Sequence, residues 1–244
     1  MPIRKEQFIN DEIYHVTIRG VDGRLIFMDE DDHWRGIFSL YEFNTTECVT
    51  IRRQREKRKK FKAMLKVRRF PTPAELESKM QEDLRDPLVE ILAVVFMPNH
   101  IHLLLRQLKP NGISVFMQKL GSGYTNYFNS KHQRKGHLFQ GAFQASRISG
   151  DEYLKIVFVY IHTNPISIIE PGWKEKGIKN PAAVTKFLEE YRWASYPDYL
   201  GKKNFPSITK RDFMTKVFGG QEKIKEFVDA WINYKHDIMD DKPQ

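Results

Sequence analysis

Hydrophobic and polar positions along this chain alternate in two rhythms, one of period two and one of period three to four. IYHVTIRG (13–20) alternates as a half-buried strand and runs into an Asp-Gly turn at Asp22 and Gly23. Trp34, Ile37, Phe38 and Tyr41 then recur at helical spacing behind a group of acids, the charge a helix N-terminus favours. VEILAVVFMPNHIHLLLRQ (89–107) is two β-branched apolar runs broken only by Met-Pro-Asn, the pattern of a closely joined pair of strands. Ile113, Phe116, Met117, Leu120, Tyr124, Tyr127 and Phe128 return to the helical period. GHLFQGAFQASRI (136–148) reads as a loop feeding a last strand. From Asp151, DEYLKIVFVYIHTN reads as a helix stopped by Pro165, with Leu154, Val157, Phe158 and Ile161 on its buried side.

The resulting order, β-α-β-β-α-β-α, predicts an α+β fold: a ferredoxin-like antiparallel sheet with helices on one face. Residues 1–200 are expected to form one domain carrying a helical insertion at 46–86. Within it, Thr72-Pro73-Ala74-Glu75 has the form of a capping box that starts a helix to about Arg85. After Pro171 the text is mixed, with a helical piece from Ala182 into EEYRWASYPDYLG. Residues 201–244 are expected to be a helical extension, with two short helices between Thr209 and Tyr234 separated by Gly219 and Gly220.

Composition narrows the class. With 41% hydrophobic and 29% charged residues, the 244-residue chain has the balance of a folded globular protein. The longest apolar run, Ile91–Met97, is too short to cross a bilayer and the N-terminus has no secretory apolar stretch, so no membrane partner and a cytoplasmic location are expected. The single cysteine, Cys48, excludes an internal disulfide and a cysteine-based zinc site. Arg52 to Arg69 hold eleven Lys or Arg against one Glu, a net +10 in a chain of net +9, so everything else sums to about −1. Such a concentration of cations suits a polyphosphate partner, since each phosphate contact releases counterions; a solvated charged helix is the plain alternative.

The chemistry concentrates in MPNHIH (97–102). Residues i and i+2 of a strand share a face, so His100 and His102 present two imidazoles together, a pair suited to one divalent cation. On the helix 151–164, Tyr160 and Asn164 lie one turn apart on the same side, which would make a nucleophile and a third ligand neighbours. The pattern alone leaves open two histidines on a polar sheet face and a tyrosine whose ring merely fills a gap.

MPNHIHLLL, preceded by EILAVVF and followed by GHLFQGAFQA, DEYL and YIHTNP, resembles the single-tyrosine HUH transposases, and in particular their REP-associated tyrosine transposase branch. YHVTIRG...IF and WASYPDYLG add to the likeness, which spans about residues 13–201. The resemblance implies Tyr160 as the nucleophile that takes a 5′-phosphate of single-stranded DNA and frees a 3′-OH. It implies His100, His102 and Asn164 as ligands of Mg²⁺ or Mn²⁺, and hairpin DNA as the partner. Candidate DNA contacts are Arg52, Arg53, Arg55, Lys57, Arg58, Lys59 and Lys60 of the insertion, with Arg19, His137, Phe139, Gln140 and Arg147. The insertion departs from the short linker such proteins have there. Two alternatives stand: a catalytically idle DNA- or RNA-binding regulator, and a two-histidine phosphoesterase, which needs a second His-x-Thr/Ser strand that His15-Val16-Thr17 comes nearest to supplying. Whether a homodimer completes the site stays open.

Overall fold

In the computed structural model, residues 7–49 and 85–240 are described. Arg52, Arg53, Arg55, Lys57, Arg58, Lys59 and Lys60, and almost all of the helix expected from Thr72, lie outside them.

The first strand, β1 (Ile13–Arg19), and the helix α1 (Glu30–Glu42) are followed by β2 (Val89–Met97) and β3 (His100–Gln107). A long helix, α2 (Gly112–Lys131), leads to β4 (Gln144–Ile148) and then to α3 (Asp151–Thr163). Six further helices complete the described chain: α4 (Ile166–Ile169), α5 (Trp173–Lys176), α6 (Pro181–Glu190), α7 (Tyr196–Tyr199), α8 (Arg211–Phe218) and α9 (Gln221–Asp240). The sheet is antiparallel in the order β2-β3-β1-β4, the strand order of the predicted α+β sandwich.

One expectation needs correction: helices cover both faces of this sheet. Tyr14, Val16, Ile18, Ile101, Leu103 and Leu105 point into a core with α1 and α2. Leu92, Val95, Met97 and Leu104 point the other way, into a second core with α3 and α6 to α9. The reason is visible in β2 and β3, whose residues are buried at nearly every position rather than at alternate ones, β2 by an almost unbroken apolar run and β3 by Leu103, Leu104 and Leu105 in succession. The C-terminal helices belong to that second core: Met214, Phe218, Ile224, Val228 and Ile232 pack there beside Phe158 of α3.

α1 buries a different stripe from the one expected. Ile37 and Leu40 are buried, whereas Trp34 is 41% exposed. Gly36 decides the orientation, because a Cβ there would lie 2.6 Å from the ring of Phe96, so only a glycine lets α1 approach β2. At the other end of the sheet, Gly150, at φ 82° and ψ 149°, turns the chain from β4 into α3 through backbone space that is essentially glycine's own. Of the two C-terminal helices expected to be short, α8 is eight residues long and α9 twenty, with Gly219 in the left-handed conformation closing the first.

Candidate active site

The register of the sheet assembles the site. Thr17 of β1 pairs with His102 of β3 on one side and Gln144 of β4 on the other, while Arg19 pairs with His100. Pleating sends His15, Thr17, His100 and His102 to the face that α3 crosses. The Pro98-Asn99 turn that introduces the histidines is pinned from behind. Pro98 C=O accepts from the N–H of Ile26 at 2.8 Å, and Asn99 C=O accepts from that of Gly20 at 2.8 Å.

Tyr160 projects from α3 toward this patch. Its ring meets that of His102 edge to face, centroids 5.8 Å apart, and that of His15 in the same manner at 5.9 Å. The rings of His100 and His102 are 4.8 Å apart and nearly perpendicular. Tyr160 is half-buried, its ring packed on the second core and its hydroxyl reached by Lys174 Nζ of α5 at 3.5 Å. A cavity of about 460 Å³ opens between α3 and the β1-β4 half of the sheet, lined by His15, Thr17, Arg19, His102, Gln144 and Tyr160 among others.

The imidazoles are held in defined states. His100 Nδ1 lies 2.6 Å from Asn99 Oδ1, an atom that only accepts, so Nδ1 carries the proton and Nε2 keeps its lone pair. His102 Nδ1 lies 2.8 Å from His15 Nε2 and 3.1 Å from Thr17 Oγ1. When Nδ1 of His102 donates to His15, Nε2 of His102 is likewise left free. Burial pushes the pKa of His100 down to about 4, helped by the charges of Arg19 and Lys174. Burial, with His100, His15, Lys174 and Arg19, pushes that of His102 down to about 2. Both rings are therefore neutral near pH 7, the form a cation requires. Two neutral nitrogens with oriented partners on their far sides are a donor pair that fits a divalent metal ion.

Asn164 caps the C-terminal end of α3, 4% exposed, with its side-chain N–H donating to the C=O of Tyr160 at 2.6 Å. It lies one turn beyond Tyr160 on the same side of the helix. His162 faces the opposite way: it is buried, bonded through Nε2 to Ser195 Oγ at 2.8 Å, and part of the packing.

Among the described residues one further trio brings metal-type ligand atoms within 4.8 Å of one another: Asp29, Asp32 and His132. It lies with α1 and α2, on the other face of the sheet. Lys131 Nζ already occupies it, 2.5 Å from Asp29 and 3.0 Å from Asp32, so one of its two negative charges is already met by an ammonium.

The expected DNA contacts divide. Arg19 and Gln140 line the cavity, and His137 is exposed outside it. Phe139 is a correction: it is 9% exposed and packed in the first core near Tyr124, because its backbone bridges to Gly20 and draws the ring under α2, so it offers no face to a base. Arg147 is exposed and bonded to Glu12 at 2.6 Å. Sequence reasoning missed Lys174, which no periodicity marks, and weighed His15 only as half of a phosphoesterase motif.

Residues 47–164 match the family model described as "Transposase IS200 like". A solved structure described as the "REP associates tyrosine transposase bound to a REP hairpin" aligns over 87% of this chain and 93% of its own, at 12% identity and a TM-score of 0.43. No functionally curated protein matches the chain.

Proposed function

We propose, for a chain whose residues 47–164 match the family model described as "Transposase IS200 like", a metal-dependent activity that cuts and rejoins single-stranded DNA beside hairpins. Tyr160 is the nucleophile in this reading, and His100 and His102 are metal ligands with Asn164 as the third. The observation that carries it is the edge-to-face approach of Tyr160 to His102, 5.8 Å between centroids, across a cavity open to a phosphodiester.

The chain's own groups divide the work. Tyr160 Oη attacks phosphorus, the new O–P bond forms as the bond to the 3′ oxygen breaks, and a 5′-phosphotyrosine holds one end while the other leaves as a 3′-OH. The phenol proton passes to solvent and the departing oxygen takes one from it. Reversal restores a phosphodiester without water, because the phosphotyrosine keeps the bond energy. Arg19, Gln140 and Gln144 line the route for the backbone, supplying a cation and neutral hydrogen-bonding groups. Asn99 and His15 bond the Nδ1 sides of His100 and His102, so that Nε2 of each would be free to hold a metal. A Mg²⁺ or Mn²⁺ held by these residues would supply charge neutralisation to a bound phosphodiester.

The test is direct. Protein, Mn²⁺ and an end-labelled oligonucleotide carrying a hairpin and a single-stranded tail are expected to give an SDS-resistant adduct that Tyr160→Phe abolishes while hairpin binding persists. Binding without any adduct would favour the regulator reading instead. Asn164→Ala is expected to weaken Mn²⁺ binding by calorimetry; unchanged affinity removes Asn164 from the ligand set. The seven basic residues Arg52 to Lys60 are proposed to grip hairpin phosphates, and deleting 52–69 is expected to weaken hairpin binding and flatten its salt dependence.

A further inference from the structure

We infer that Lys174 is a second catalytic residue of strand cleavage and rejoining, acting as a fixed cation on the oxygen of Tyr160. The inference rests on Tyr160 being the nucleophile.

Two contacts place it. Lys174 Nζ is 3.5 Å from Tyr160 Oη and 4.8 Å from the centre of the same ring, so the ammonium lies against both the hydroxyl and the π-face. The base of the side chain is anchored: its neighbour Trp173 is 3% exposed and packs edge-on against Trp231 of α9, ring centres 5.3 Å apart. The chain reaches this point by turning back after α3 through Pro165, α4 and Gly172, whose φ of 82° permits the reversal. Fourteen residues after Tyr160, the backbone thus returns a cation to it.

A neutral phenol is a weak nucleophile, and negative charge must build on its oxygen as it attacks. The groups facing Tyr160 are His15 from β1, His102 from β3 and Lys174 from α5, with Arg19 on the cavity wall. The two imidazoles meet the ring edge-on, and Lys174 meets the oxygen itself. In cleavage, Oη loses its proton to water as the O–P bond forms, and the ammonium stabilises the negative charge that builds before bond formation is complete. In rejoining, the O–P bond to tyrosine breaks, the oxygen leaves as phenolate, and the same ammonium stabilises it until it takes a proton from water. Lys174 takes no part in the proton transfer itself. One cation therefore lowers both barriers, as the reverse of a single transition state requires.

The experiment measures adduct formation and rejoining at single turnover with Mn²⁺ and an end-labelled hairpin oligonucleotide, for wild type, Lys174→Met, Lys174→Arg and Tyr160→Phe. Lys174→Met is expected to slow both directions by about 10- to 100-fold near pH 7.5. Lys174→Arg is expected to retain most of the rate, and Mn²⁺ affinity measured by calorimetry should not fall in either variant. Wild-type rates in Lys174→Met overturn the inference, as does a Lys174→Arg variant as slow as Lys174→Met, which would mark a structural role. An adduct that persists in Tyr160→Phe sinks the nucleophile assignment beneath it, and is read separately from the Lys174 rates.

Discussion

His15 Nε2 lies 2.8 Å from Nδ1 of His102, across the β1-β3 ladder and 87 residues away in sequence. Partners on the far nitrogen of a ligating imidazole fix its tautomer and orientation, and losing one costs about 10- to 100-fold in metal affinity. His15→Ala is therefore expected to weaken Mn²⁺ binding by that factor with the fold intact, while His100→Ala or His102→Ala weakens it further. Isothermal calorimetry with Mn²⁺ checks this; wild-type affinity in His15→Ala would remove the positioning role.

The acidic trio on the opposite face should behave otherwise. Asp32 is fully buried and accepts hydrogen bonds from Met28 N–H, Lys131 and His132. Lys131 and His132 are part-exposed and can turn to water, so removing Asp32 costs the charged hydrogen bonds rather than a stranded charge, about 1.5 to 3 kcal/mol. Asp32→Ala should lose stability on that scale in urea unfolding yet bind Mn²⁺ as the wild type does.

His162 gives a pH signature. Burial pushes its pKa down to about 3, although the bond to the C=O of Phe158 opposes the shift. Between about pH 6.5 and 3 the unfolded chain takes up a proton there and the folded chain does not, so this residue's share of stability is whole above 6.5 and lost as pH falls through that window. His162→Gln loses packing at every pH but has no such proton uptake in its unfolded chain. The stability gap between wild type and variant should therefore narrow on acidification, by up to about 1.4 kcal/mol per pH unit. A gap of constant width in urea titrations at pH 7, 6 and 5 would count against it.

Gly36→Ala tests the approach of α1 to β2. The added methyl meets the ring of Phe96 at 2.6 Å and that of Phe27 at 3.0 Å, both held in a filled core. Overpacking of this kind costs about 1 to 3 kcal/mol, to be measured as a lowered urea midpoint.

Much of the fold was legible because the local signals agreed with it. Both strands around Pro98, the helix carrying Ile113 to Phe128 and the stop at Pro165 follow from apolar spacing and proline chemistry. The second helical layer was legible too: HIHLLLRQ has Leu103, Leu104 and Leu105 in succession, which no one-sided sheet can bury, yet the layout inferred from element order assigned it a single cover. Trp34 was misplaced because spacing cannot sense that Gly36, not a larger residue, marks the contact face. Phe139 was misread because an aromatic in a glycine-flanked loop looks available until its backbone bridge is known. The histidine pair and Tyr160 could be named from motif, but the neighbours that tune them could not. His15 and Lys174 arrive by strand register and by a chain reversal, neither of which leaves a local trace.

The site's parts ride on different storeys of the molecule, the imidazoles in the sheet and the phenol on the helix lying over it, joined by the apolar filling between Leu104, Val95 and Phe158. Alignment of the reacting atoms is thus a property of that filling rather than of any bond between them. A shaved methyl beneath α3 would let the upper storey settle or tilt, so substitutions far from any ligand should surface first as misfired joining and only later as melting.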